Sequence, residues 1–229
     1  MSLIDPDRAR ASFYAFLGLH FLELPDPSFI SVLRSKEFGT TLKELTLGKD
    51  VHPEIAEGAS LMQAYLDGAK ALDAAELAQR LGVDRTRLYR GVSPHAGPTP
   101  PYEALWITEG REGSVLQELA GIYARAGFAL KTDVHERLDY IGIQMNYMER
   151  LVMNEIAGLE AGDGQLVCVT QDCEREFLWN HLGRWAPKFA LSALGHAETD
   201  FYRGHLHMLK GFLEQEKETL GGVANAGRS

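Results

Sequence analysis

Between Leu138 and Leu159 the apolar residues Leu138, Ile141, Met145, Met148, Val152, Ile156 and Leu159 recur at intervals of three and four. That spacing puts all seven on one stripe of a helix, because an α-helix turns once every 3.6 residues. An apolar seam of this length needs other helices to cover it, and the rest of the chain has the same periodicity. Phe13, Phe16, Leu17, Phe21 and Leu24 form the stripe of a first helix from Asp5 to Leu24, which Pro25 ends. Further helices are expected at about 27–35 and at 53–71, the latter with Leu61, Tyr65, Leu66 and Ala69 inward. Another runs over 73–90, bending at Gly82 and carrying Leu77, Leu81, Leu88 and Tyr89 into the core. Ser114, with Gln117 three residues on, reads as the N-cap of a helix that Gly127 closes. Helices over 171–185, from Pro187 to Leu194, and from a Thr199 or Asp200 cap onward complete the set. Regular alternation of Val, Ile and Thr is missing, so the fold class is all-α.

The break in this pattern is residues 91–101, Gly-Val-Ser-Pro-His-Ala-Gly-Pro-Thr-Pro-Pro, which hold four of the nine prolines. Neither helix nor strand can run through such a stretch. The organisation read from it is a single helical-bundle domain. In it the linker at 91–101 separates an N-terminal helical part, 1–90, from a C-terminal one, 102–218, and 219–229 is a flexible tail. A linker of this kind permits a domain-swapped homodimer.

Charge and motifs narrow the function. Lys and Arg number 23 against 32 Asp and Glu, a net charge of −9, which disfavours nucleic acid and anionic membrane as partners. No leader-like segment opens the chain and no stretch approaches the length of a membrane span, so a cytoplasmic location without membrane insertion is expected. The sequence has no Gly-x-x-x-x-Gly-Lys-Ser/Thr, no Gly-x-Gly-x-x-Gly, no Gly-x-Ser-x-Gly and no Glu-x-x-His, which removes support for the common nucleotide-binding, hydrolase and di-iron enzymes. No cofactor and no catalytic residue are therefore assigned. Cys168, Cys173 and nearby histidines such as His181 are the one alternative, a metal-binding helical protein or enzyme. Two cysteines so spaced, without a second tight pair, more simply are a loop thiol, Cys168, and a small core residue, Cys173.

Four blocks of residues point elsewhere. They are Arg87-Leu88-Tyr89-Arg90-Gly91, Pro100-Pro101-Tyr102-Glu103-Ala104-Leu105-Trp106, Leu138-Asp139-Tyr140-Ile141-Gly142, and the run from Glu176 to Phe189 that contains His181-Leu182-Gly183-Arg184-Trp185, followed by Phe201-Tyr202. In order and spacing they resemble the TorD/DmsD-like cytoplasmic chaperones that mature molybdenum-containing redox enzymes. The resemblance implies a non-catalytic, all-helical protein. It would bind the precursor of a molybdenum-containing oxidoreductase and its twin-arginine signal peptide, holding the client from export until its cofactor is inserted. Such a peptide offers two guanidinium groups beside an apolar helix-forming region, so its receptor wants carboxylates bordering an aromatic groove. The candidate peptide-binding residues are Tyr102, Glu103, Trp106, Glu136, Asp139 and Tyr140. Tyr140 stands where the family has His, and Arg137 where it has Pro. Trp185 and Phe189 are expected in the core, and Asp139→Ala or Trp106→Ala is expected to weaken peptide binding without unfolding the protein.

Overall fold

The computed structural model describes residues 4–48, 50–91, 97–107, 112–130 and 135–226. Among these there are α-helices and no strand, as the periodicity requires. In chain order they are α1 (Ile4–Leu22), α2 (Pro27–Leu33), α3 (Lys36–Leu47), α4 (Pro53–Gly68), α5 (Ala74–Tyr89), α6 (Glu103–Trp106) and α7 (Glu112–Arg125). After them come α8 (Ile141–Ala161), α9 (Gly164–Phe177), a π-helical turn (Leu178–Leu182), α10 (Gly183–Leu194) and α11 (Asp200–Ala226).

The starts of several helices are written in short polar residues. Asp26, Ser35, Asp73 and Asp163 each accept a hydrogen bond from the backbone N–H three residues ahead, satisfying a donor that the first helical turn leaves without a partner. Gly162 ends α8 at φ 67°, a left-handed conformation that suits glycine. Where the sequence reading differs, the cause is local. α3 has only one fully buried side chain, Leu42, and so leaves almost no stripe. α5 runs unbroken through Gly82. Ser114 lies inside α7, which begins at Glu112. Cys168 sits on the exposed face of α9 rather than in a loop. Leu24 is exposed and beyond α1, whose buried face is Tyr14, Leu17 and Phe21. α11 continues to Ala226, past the expected start of the tail. Five linker residues, 92–96, fall outside the described residues.

The chain forms two compact units, and they do not follow the linear division at the linker. One comprises Met1–Leu22, Pro101–Trp185 and Glu216–Ser229; the other comprises Glu23–Pro100 and Ala186–Gln215. In the second unit, Gly58 and Gly204 let α4 and α11 meet backbone to backbone: a Cβ on Gly58 would lie 2.4 Å from the Gly204 carbonyl oxygen. Buried Asp84 accepts from the backbone N–H groups of Glu198 and Thr199 and from the Thr199 hydroxyl, whose oxygen in turn caps α11. Tyr89 and His205 share a buried hydrogen bond of 2.9 Å.

In the first unit, α8 packs chiefly on α1 and α9. Arg10 of α1 is the charged centre of this packing. Its guanidinium donates to Asp7 (3.1 Å), Glu155 of α8 (3.1 Å), Glu174 of α9 (2.6 Å) and Glu216 of α11 (3.0 Å). The Tyr14 hydroxyl also donates to Glu216, and the Gln171 amide to Glu155. Four carboxylates around one guanidinium leave excess negative charge in a region screened from water, which favours keeping a proton there. Burial pushes the Glu174 carboxyl up to about 8, with Arg10 opposing and Glu155 and Glu216 reinforcing the rise. Unfolded, this carboxyl ionises near 4.5. Between those values the folded state holds a proton that the unfolded state has lost, so stability declines as pH rises from about 4.5 to 8, by up to about 1.4 kcal/mol per pH unit. Urea unfolding at a series of pH values should show this slope, and Glu174→Gln should flatten it while raising stability at the alkaline end.

Candidate functional site

The six residues expected at the site lie together in the first unit, at the junction of α6 with the start of α8. The backbone brings them there. Residues Tyr102 and Tyr140 form an isolated antiparallel bridge, with Glu103 N–H donating to the Asp139 carbonyl and Ile141 N–H to the Pro101 carbonyl. α6 is a single turn with no cap of its own, and Asp139 supplies one from across the bridge: its Oδ2 accepts from Ala104 N–H at 3.1 Å. The Tyr140 hydroxyl donates to the carbonyl of Phe21 in the last turn of α1 at 2.8 Å, filling an acceptor that a helix end leaves open.

Glu103 points inward. Its carboxylate accepts from Gln144 Nε2 at 2.5 Å and bonds His181 Nδ1 at 3.0 Å. Gln144 Oε1 accepts from the Trp185 indole N–H at 3.1 Å, and since indole can only donate, this fixes which end of the amide faces Glu103. His181 sits in the π-helical turn, and its Nε2 lies 3.9 Å from exposed Glu118. Trp185 and Phe189 are core residues, as expected. No local pattern signals the pairing of Glu103 with Gln144 and His181, which are 41 and 78 residues away.

The six residues thus fall into two sets. Glu103, Asp139 and Tyr140 are buried and engaged within the fold. Tyr102, Trp106 and Glu136 are half-buried, and Leu105 of the same turn as Trp106 is 44% exposed. The Tyr102 hydroxyl donates to Glu136 Oε2 at 3.2 Å, and its ring lies 5.1 Å from that of Tyr140. Arg137 completes the arrangement. Its guanidinium reaches both oxygens of Asp139 at 3.0 Å and stands 5.1 Å from the centre of the Tyr102 ring. Burial of Asp139 at the cap of α6 changes one expectation: Asp139→Ala should cost stability as well as binding.

Elsewhere in this unit α7, α8 and α9 line a half-open pocket of about 260 Å³ with Ile122, Tyr147, Leu151, Phe177, Arg125 and Glu176 among its residues. Cys173 also lines it. Burial, reinforced by Glu176 and Asp172, pushes its thiol above the ordinary value, away from the thiolate that ligates metal. His181 is committed to Glu103, and among the described residues no three His, Cys, Asp or Glu side chains are arranged to hold a metal ion. The alternative based on Cys168, Cys173 and His181 therefore finds no site there.

The family described as nitrate reductase delta subunit matches residues 49–191, well over half of the chain, and the chain belongs to it. It is a family of chaperones that mature molybdoenzymes. Comparison with curated proteins returned no match. The matched span takes in the first three sequence blocks and the run from Glu176 to Phe189, and stops short of Phe201-Tyr202.

Glu103 has a buried amide and a buried imidazole as partners, so Glu103→Ala should take the carboxylate away from Gln144 Nε2 and His181 Nδ1 and lower unfolding stability by about 2–4 kcal/mol. Urea unfolding monitored by tryptophan fluorescence measures it, and Glu103→Gln should recover part of the loss.

Proposed function

We propose that this chain is a non-catalytic cytoplasmic chaperone. Its client is the immature form of a molybdenum-containing oxidoreductase, and it binds the client's twin-arginine signal peptide and delays export until the cofactor is inserted. The observation that carries the reading is the surface formed by Tyr102, Trp106, Leu105 and Glu136 over buried Asp139. It offers aromatic faces, an aliphatic side chain and the Glu136 carboxylate, with a second carboxylate, Asp139, beneath Arg137, the chemistry suited to guanidinium groups followed by apolar residues. Glu103, Asp139 and Tyr140 serve it from below. They fix α6 to the start of α8 and to the end of α1, so the exposed side chains are held ready before a peptide arrives.

The net charge of −9 favours a cationic ligand over any other. Membership of a molybdoenzyme-maturing family names the class of client. The identity of that client belongs to a broad surface rather than a short motif.

Pull-down from native cytoplasm, with the captured proteins identified by mass spectrometry, tests the client. Calorimetry with the captured protein's N-terminal peptide then tests the groove. A molybdoenzyme precursor is expected, with peptide affinity lost when its two arginines are replaced by alanine. Trp106→Ala should weaken the peptide by about tenfold or more, as removal of an anchoring aromatic does, with an unchanged circular dichroism spectrum. Capture of the precursor without peptide affinity would move the contact to the client's folded body.

A further inference from the structure

We infer that Arg137 occupies the protein's own arginine site, so that a client guanidinium must displace it to bind. The inference rests on the peptide-binding reading above and deepens it. Asp139 is buried, yet its two carboxylate oxygens are capped by a side chain that is itself 48% exposed. The contact is a two-pronged one, Nε to Oδ1 and Nη2 to Oδ2, both at 3.0 Å. This is the geometry in which a guanidinium meets a carboxylate most strongly. The same guanidinium stands 5.1 Å from the centre of the Tyr102 ring, within cation–π range. Tyr102 is in turn steadied by its hydroxyl's bond to Glu136. One group therefore already makes the carboxylate and aromatic contacts that an incoming arginine would seek.

Arg137 is two residues from Asp139 in a segment outside any helix, so swinging it into solvent breaks no helical hydrogen bond. Because its side chain is the outer member of the pair, Asp139 becomes reachable only when Arg137 leaves. An apparent affinity is reduced by the fraction of time a site stands open. Arg137 thus lowers affinity for any single arginine and sets a threshold. A ligand must bring further contacts, to Trp106 and Leu105 or through a second guanidinium near Glu136, to replace it.

The test compares wild type with Arg137→Ala by calorimetry. The probe is a synthetic peptide carrying two adjacent arginines followed by an apolar helix-forming segment, and the control is the same peptide with two lysines. Self-occupation predicts that R137A binds the arginine peptide about tenfold more tightly, from the opened fraction of the site, and that the lysine peptide gains much less. In wild type, the Arg137 Nε NMR signal should shift toward that of a solvent-exposed arginine as the arginine peptide is added. Equal or weaker affinity of R137A for the arginine peptide would overturn the inference while leaving the groove in place, provided wild type binds. An equal gain for both peptides would also overturn it, since removing a positive charge would then be the whole effect. If neither protein binds the arginine peptide, the groove reading fails and this inference fails with it.

Discussion

A carboxylate taken out of water must be met by hydrogen-bond donors, and at Glu103 that requirement organises the surrounding structure. Gln144 comes from the first turn of α8 and His181 from the π-helical turn. Trp185 then orients Gln144 from the other side. α6, a single turn with almost no intrinsic stability, is thereby fixed at one end by Asp139 and at its first residue by Glu103. Without these contacts nothing in the local sequence would hold Tyr102, Leu105 and Trp106 in a common orientation. The orientation of these exposed side chains depends on acids that are themselves buried.

The unit's two acidic centres play different parts. Around Arg10 the negative charge exceeds what one guanidinium can balance, and the excess is handled by keeping a proton on Glu174. Around Glu103 the partners are an amide and an imidazole, and the carboxylate is satisfied by donors. The first ties α1, α8, α9 and α11 together; the second ties the single turn of α6 to the helices that flank it. Both use side chains that composition would count simply as part of a negative surface.

The helical class and most helix positions were legible because they follow from spacing. Leu77, Leu81, Leu88 and Tyr89, and likewise Tyr202, Leu206, Leu209 and Leu213, are buried as their periodicity requires. α3 was not legible, because one buried leucine in twelve residues makes no pattern. The candidate site was half legible. Family-like blocks brought the six residues into one neighbourhood, but a block cannot say which members face inward. Glu103 and Glu136 are the same residue type, and only the tertiary partners at 144 and 181 separate the buried one from the half-buried one. The discontinuous composition of the compact units escaped for a similar reason: α1 joins residues 101–185 through packing against α8, and packing partners distant in sequence leave no trace in a linear pattern. Arg137 was visible as a departure from the family, yet its role depends on a fork geometry that no spacing encodes.

The π-helical turn at Leu178–Leu182 amounts to one residue more than an α-helix would use over the same span. Each residue of an α-helix advances the direction of its side chain by about 100°. Removing a single residue from this turn would therefore rotate Trp185 by about that angle relative to Phe177, taking its indole away from Gln144. The turn acts as a phase shifter: it lets one continuous helical run present Phe177 and Trp185 on faces that an uninterrupted α-helix could not align with both of their partners. Length in this stretch is constrained more tightly than composition, and an otherwise mild one-residue deletion there would act at a distance on the segment that carries Tyr102 and Trp106.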